Sequence, residues 1–274
     1  MCGITAVFSK NDNIFNEAYE SLYHLQHRGQ DSFGFSYLDN KKQIKIFKQT
    51  GLLANNQVTI ESNMVMGHVR YPTQGSNDIN ESQPFYIEGK YHTFSLIHNG
   101  QIDVEKIKQI LDINFESCSD TKYLLHYISY LFDKYVILND ENILKIVYDV
   151  QKINGSFNCI CLIKDFGLLC FKDKYSIRPL ILGRKNDNYI LSSESISITS
   201  INYEIVRDIY SNDIIIFDKM SNLKNLKNEN KHLIPCIFEW IYLAREESII
   251  YGVNVYQVRK MLGKVLANQI MDKV

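Results

Sequence analysis

Apolar residues recur along this chain with two different periods, and the changes between them outline its architecture. The first eight residues, Met1-Cys2-Gly3-Ile4-Thr5-Ala6-Val7-Phe8, read as a strand that begins at the terminus itself. Residues 13–26 then place Ile14, Phe15, Ala18, Leu22 and Leu25 on one helical face, and Gly29 is a stop after it. Residues 33–37 and 45–48 predict two strands around the turn Asp39-Asn40-Lys41. Residues 63–69 predict another, running into a loop at 70–75 where Pro72 and Gly75 break regular structure. A strand over 91–98 is expected to end at Asn99-Gly100.

Three helices follow, at 103–111, 122–132 and 141–153. Ser119-Asp120-Thr121 supplies cap chemistry for the second, whose apolar face holds Leu124, Leu125, Ile128 and Leu131. In the third, Ile143, Leu144, Ile146, Val147 and Val150 are apolar. From Gly155 the pattern returns to strands. Residues 156–163 and 167–172 form a hairpin around Lys164-Asp165-Phe166, residues 180–183 pair with 189–193, and 213–217 follow. The Asn/Lys-rich segment 221–231 reads as an exposed loop or hairpin tip. Residues 255–270 are helix-like. Helices and strands are segregated along the chain, which predicts an α+β fold of layered sheets covered by helices.

Composition narrows the function classes. A chain of 274 residues holds one large domain, or one domain and a piece of another. A net charge of −1 gives no broad attraction to nucleic acid or to an anionic membrane. No apolar run approaches the ~20 residues of a membrane span, and the start has no basic n-region or signal-peptide core. A cytoplasmic location is the expectation. The cysteines Cys2, Cys118, Cys159, Cys161, Cys170 and Cys236 form neither a Cys-x-x-Cys pair nor a compact disulfide framework. Cys159, Cys161 and Cys170 lie in apolar β-type stretches and read as reduced core residues. The histidines show no metal-ligand spacing, so no metal site is expected in this chain.

Candidate chemistry lies in four clusters. Cys2 follows an initiator methionine of the kind that is removed when the next side chain is small. The mature chain would then carry a thiol and a free α-amine on one residue. An α-amine titrates at about 7.7–8.0, so it can serve as the base that activates its own thiol. The other clusters are Gln26-His27-Arg28-Gly29-Gln30-Asp31-Ser32-Phe33-Gly34, Gly67-His68-Val69-Arg70-Tyr71-Pro72-Thr73, and Asn99-Gly100 with Ser119-Asp120-Thr121 downstream. Each has a plainer reading when taken alone. Arg28-Gly29 is a helix stop, Arg70 a surface residue, Asn99-Gly100 a turn, and Asp120 a cap.

Taken together, Met1-Cys2-Gly3-Ile4, His27-Arg28-Gly29-Gln30-Asp31, Gly67-His68-Val69-Arg70-Tyr71-Pro72-Thr73, His98-Asn99-Gly100 and Ser119-Asp120-Thr121 resemble the glutaminase domain of the class II glutamine amidotransferases. These are N-terminal-nucleophile hydrolases with a four-layer αββα fold, and the resemblance covers most of residues 2–240. It implies that Cys2 attacks the side-chain amide of L-glutamine, with its own amine as general base and then general acid. It makes the Asn99 side-chain amide and the Gly100 N–H the oxyanion donors, one such donor commonly being worth ~3 kcal/mol. It makes Arg70 the grip on the substrate α-carboxylate and Asp120 the partner of the α-ammonium. Thr73 adds a hydrogen bond, Tyr71 belongs to the substrate side, and Arg28 and Gly29 sit beside the terminus and help position it.

Three further stretches resemble the phosphoribosyl pyrophosphate amidotransferase branch of that family. They are Asp173-Lys174-Tyr175-Ser176-Ile177-Arg178-Pro179-Leu180, Leu191-Ser192-Ser193-Glu194-Ser195, and the tail from Cys236-Ile237-Phe238-Glu239-Trp240 to Arg259. That branch carries out the first step of purine synthesis. The resemblance divides the chain into a glutaminase domain over 1–235 and, over 236–274, a junction with the truncated start of a phosphoribosyltransferase domain. The acidic, Thr/Gly-rich phosphate loop of that second domain is not found here. This chain alone is therefore expected to show glutaminase chemistry without phosphoribosyl transfer. Phosphoribosyl pyrophosphate and Mg belong to the missing domain, and the complete enzyme is expected to be a homo-oligomer. Some members bind an iron–sulfur cluster partly through the position of Cys236, but this cysteine is read as a plain core thiol. No propeptide is expected, since the nucleophile follows Met1 directly. Two other readings stand beside this one: the glutaminase domain of another class II enzyme, or an inactive module that binds partners or glutamine.

Overall fold

The computed structural model describes residues 2–10, 12–55, 58–71, 78–115, 119–219, 222–227 and 231–271. Strand β1 (Gly3–Phe8) is followed by α1 (Phe15–His24), a 3₁₀ turn (Gln26–Arg28), β2 (Ser32–Leu38), β3 (Ile44–Thr50), β4 (Met64–Arg70), β5 (Phe85–Glu88) and β6 (Thr93–Ile102). Helices α2 (Glu105–Leu111), α3 (Asp120–Phe132) and α4 (Asp140–Val150) come next. Then come β7 (Gly155–Ile163), β8 (Gly167–Lys172), β9 (Ile181–Lys185), β10 (Asn188–Ser192), α5 (Ile196–Thr199), β11 (Glu204–Asp208), β12 (Asp213–Asp218) and β13 (Leu223–Lys227). The tail forms a π-helical turn (Glu239–Leu243), the short hairpin β14 (Ile249–Ile250) and β15 (Val253–Asn254), and α6 (Val255–Met271).

Two antiparallel sheets organise the molecule, in the orders β11-β9-β10-β1-β4-β2-β3 and β13-β12-β8-β7-β6-β5. Side-chain alternation along each strand sends successive residues to opposite faces, and three apolar layers result. Val7, Phe33, Phe35, Val65 and Val69 pack against α1 and α5. Ile4, Ala6, Phe8, Met64, Met66, Ile97, Ile160 and Leu162 fill the space between the sheets. Leu96, Phe157, Cys159 and Cys161 pack under α2, α3 and α4. The result is the expected four-layer αββα arrangement, the fold of the N-terminal-nucleophile hydrolases.

Three strands that the sequence pattern does not predict, β5, β11 and β13, lie at sheet edges. An edge strand has one face and one side open to water, so its apolar alternation is weak. β13, Leu-Lys-Asn-Leu-Lys, was read as loop or hairpin tip and pairs with β12 in continuous register. β6 does not stop at Asn99-Gly100 but continues to Ile102, paired with β7 throughout. Arg70, expected in a loop, is the last residue of β4. Cys236, expected as a core thiol, is only partly buried. The tail carries its own small core of Trp240, Ala244, Ile250 and Val255.

Candidate active site

The same alternation that builds the inter-sheet core also builds the site. On β1 the residues facing the other sheet are Ile4, Ala6 and Phe8, and stepping back by two reaches Cys2. On β4 the series Met64, Met66 continues to His68 and Arg70. Gly3 is paired with Val69, so Cys2 and Arg70 emerge side by side where the apolar layer ends. On β6 the series through Ile97 continues to Asn99, and on β7 the series through Ile160 and Leu162 reaches Asn158, opposite Asn99. Polar residues thus replace apolar ones at one end of all four strands.

A cleft opens there, lined by Cys2, Arg70, Tyr71, Glu81, Gln83, His98, Gly100, Ser119, Asp120 and Thr121. Of the residues named from sequence, Cys2, Arg70, Tyr71, Gly100 and Asp120 meet in it. Thr73 lies outside the described residues. The Cys2 Sγ points toward the Tyr71 carbonyl at 3.9 Å. Burial pushes the thiol pKa up, with Asp120 adding to the rise and Arg70 opposing it. The thiol is therefore protonated near neutrality and needs a base.

Asn99 is fully buried, and among the described residues neither its Nδ2 nor its Oδ1 has a hydrogen-bond partner. Leaving such an amide unsatisfied costs about 1–3 kcal/mol, which marks it as a group held ready for a ligand. Gly100 has a φ of 159°, and a Cβ there would lie 1.8 Å from the Ser156 carbonyl oxygen. Only glycine lets β6 and β7 stay paired at this point.

Asp120 opens α3. Its Oδ2 accepts from the Ile102 N–H at 2.9 Å, and the Thr121 hydroxyl lies 3.4 Å from its Oδ1. Ser119 stands at the cap position without a side-chain cap bond, and among the described residues its buried hydroxyl has no partner. Arg70 Nη1 pairs with Asp31 Oδ2 at 3.0 Å.

Arg28 and Gly29 do not line the cleft. Arg28 is buried and donates from Nε to the Cys2 carbonyl at 3.1 Å. Gly29 lies so close to the end of β4 that a Cβ on it would sit 2.5 Å from the Arg70 carbonyl carbon. Both act on the backbone of the site from behind.

Sequence reading assigned no role to Glu81, Gln83, His98 and Thr121, which the fold brings to the cleft. The His98 N–H donates to Gln83 Oε1 at 2.6 Å, His98 Nδ1 lies 2.9 Å from Thr121 Oγ1, and Gln83 Nε2 donates to the same oxygen at 3.1 Å. Burial depresses the His98 pKa, with Asp120 opposing, so the imidazole is neutral. Glu81 pairs with Lys122 and accepts from the Ser119 N–H at 2.8 Å. His98 stood in a quoted motif and could have been named. Glu81 and Gln83 sit in a polar stretch that carries no local signal.

Among the described residues no group of three or more His, Cys, Asp or Glu could hold a metal ion, and no helix is long and apolar enough to cross a membrane. The arrangement offers a nucleophilic sulfur, buried amide donors beside it, and one cation and one anion to hold the two charged ends of an amino acid.

Residues 69–200 match the family model of a glutamine amidotransferase domain. The chain is 33% identical over 288 residues to an amidophosphoribosyltransferase of Pasteurella multocida, covering 98% of this chain and 57% of that protein. It is 34% identical over 307 residues to the amidophosphoribosyltransferase of Schizosaccharomyces pombe, covering 100% of this chain and 57% of that one. Among solved structures, the glutamine phosphoribosylpyrophosphate amidotransferase of B. subtilis superposes with a TM-score of 0.82 at 25% identity, covering 97% of this chain and 58% of that one. The chain thus spans a little over half the length of these relatives. Residues 69–200 thus carry a glutamine amidotransferase domain, in a chain similar over nearly its whole length to amidophosphoribosyltransferases.

Proposed function

We propose that this chain hydrolyses the side-chain amide of L-glutamine to glutamate and ammonia, with Cys2 as nucleophile. In the complete protein the ammonia passes to phosphoribosyl pyrophosphate and forms phosphoribosylamine, the first step of purine synthesis, which is the reading that the resemblance to the phosphoribosyl pyrophosphate amidotransferases implies. The observation that carries the reading is the convergence of Cys2, Arg70, Gly100 and Asp120 on one cleft, with the unpartnered amide of Asn99 buried beside it.

Removal of Met1 frees the α-amine of Cys2. The amine takes the thiol proton as the sulfur attacks the amide carbon. The oxyanion that forms is met by Asn99 Nδ2 and the Gly100 N–H. The intermediate collapses, the C–N bond breaks, and the ammonium returns its proton to the departing ammonia. Water then cleaves the thioester, giving glutamate and the free thiol. Arg70 holds the α-carboxylate and Asp120 the α-ammonium. Tyr71, half-exposed at the rim, covers the bound substrate.

Intact-mass spectrometry with a glutamine-analogue electrophile tests this. The expected result is a chain lacking Met1 with one covalent label, mapped to Cys2. A retained methionine, or a label on another cysteine, overturns the mechanism. In the full-length protein, hydrolysis should be stimulated by phosphoribosyl pyrophosphate and not by the acceptors of other class II enzymes.

A further inference from the structure

The backbone of Cys2 is tied to the tail of the chain by a buried network of charges. Arg28 uses four donor contacts. Its Nε reaches the Cys2 carbonyl at 3.1 Å, its Nη1 reaches Glu194 Oε1 at 2.6 Å and Glu239 Oε2 at 3.0 Å, and its Nη2 reaches Glu239 Oε1 at 3.0 Å. The Arg28, Glu194 and Glu239 side chains are almost completely excluded from solvent. Arg178 adds a longer contact to Glu239 at 3.4 Å.

Glu194 faces the tail as well. Its Oε2 accepts from the Arg245 N–H and the Ser248 hydroxyl, both at 2.9 Å. Glu239 sits on the π-helical turn, which α6 in turn holds. Arg259 on α6 donates to the Trp240 carbonyl at 2.9 Å and to the Ala244 carbonyl at 2.8 Å. Hydrogen bonds joined by the backbone of the π turn therefore lead from α6 through Glu239 and Arg28 to the Cys2 carbonyl.

We infer that Glu239 is a positioning residue for glutamine hydrolysis, setting the backbone of Cys2 through Arg28, so that the seating of α6 against the π turn governs the reactivity of the site. The inference rests on the glutaminase reading above. Its physical basis is that the amine and the thiol belong to one residue. A rotation of the Cys2 backbone moves the base relative to the sulfur it must deprotonate. Among the described residues Glu239 and Arg259 bond to none that line the cleft, so their loss should act on the chemical step and not on substrate affinity.

The test compares kcat and KM for glutamine hydrolysis by the full chain with Glu239→Gln, which keeps the side-chain volume. Expected is a fall in kcat of about ten- to a hundredfold, the scale set by misplacement near 1 Å, with KM within about threefold. Labelling of Cys2 by the glutamine analogue should slow by a similar factor. An unchanged kcat, or a loss confined to KM, overturns the inference. Should Glu239→Gln not fold, Arg259→Gln is the second variant. It spares the buried charges and should give the same split in smaller degree, and unchanged kcat there also overturns the inference. Failure of the wild-type chain to label at Cys2 would instead remove the glutaminase reading itself, so the two failures are distinguishable.

Discussion

Arg70 meets Asp31 in an ion pair of 3.0 Å, Nη1 to Oδ2, at the edge of the cleft that holds Cys2. The Asp31 N–H also donates to the Arg70 carbonyl at 3.2 Å. Both side chains are largely shielded from water, so the pair is held more firmly than a surface bridge. Under the proposed glutaminase reading, the substrate carboxylate is then a second anion on a guanidinium whose orientation Asp31 already fixes. Charged hydrogen bonds are worth about 1.5–3 kcal/mol, so Arg70→Ala should raise KM for glutamine by roughly ten- to a hundredfold. Asp31→Asn keeps an oxygen facing Arg70 and should raise KM by only about threefold. Steady-state kinetics on both variants checks the order. Equal effects would show that Asp31 takes part in binding itself.

Asn99 should trade activity against stability. Its amide is buried and has no partner among the described residues, so Asn99→Leu, of the same branched shape, removes a desolvated polar group. Loss of an oxyanion donor should lower kcat by about 10²–10³-fold. Thermal unfolding should show equal or higher stability, because an unsatisfied buried polar group costs about 1–3 kcal/mol. A variant that is both active and less stable would mean that the amide serves the fold.

Gly100→Ala should fail in a different way. The added methyl group would meet the Ser156 carbonyl oxygen at 1.8 Å, which can be relieved only by separating β6 from β7 at the site. Expected is a destabilisation of several kcal/mol, on the order of 3, together with loss of activity. Calorimetry on the purified variant, or its failure to accumulate as folded protein, is the readout.

The α-amine of Cys2 can be tested without touching the thiol. Changing Gly3 would alter a packed position, so the variant of choice inserts a bulky residue between Met1 and Cys2 to block methionine removal. The thiol remains, but its amine becomes a peptide nitrogen. Because general-base help is worth about 10²–10⁴-fold, hydrolysis should fall by that order. Full activity in the blocked chain would exclude the amine as base.

Acid should unfold the protein through Glu194. Burial alone would raise its pKa, but Arg28 and His27 outweigh burial and hold the carboxylate at about 2. The folded value lies below the usual one near 4.5, so the unfolded chain takes up this proton first as pH falls. The stabilisation is complete above about pH 4.5 and drains away between there and pH 2, amounting to about 3 kcal/mol by linkage. Urea unfolding at pH 7 and pH 3 should show a smaller difference for Glu194→Gln than for the wild type.

Much of this molecule can be read locally. The alternation in β1, β4, β6, β7 and β8 and the apolar faces of α1, α3 and α4 carry the two-sheet architecture, because these elements bury apolar side chains and so display their period. Cys2, Arg70, Gly100 and Asp120 are recognisable because their motifs have a fixed order along the chain. Edge strands escaped for the opposite reason. In β13 the residues are polar and exposed, and only the open side of β12 makes them a strand.

What the amino-acid order could not supply is the meeting of distant groups. Asp31 and Arg70 are 39 residues apart, and Arg28 and Glu239 are 211 apart. No periodicity in the chain encodes either pair, since periodicity reports only which face a residue takes. The sequence by itself determined that a cysteine stands at the head of a strand and which motifs accompany it. The tertiary structure decided that Asn99 faces the inter-sheet layer with its amide unpaired among the described residues, that Arg28 holds Glu239 while it reaches the Cys2 carbonyl, and that the tail is tied to the Cys2 backbone through that pair. Those outcomes depend on sheet register and on burial of charge, and both exist only once the layers have packed.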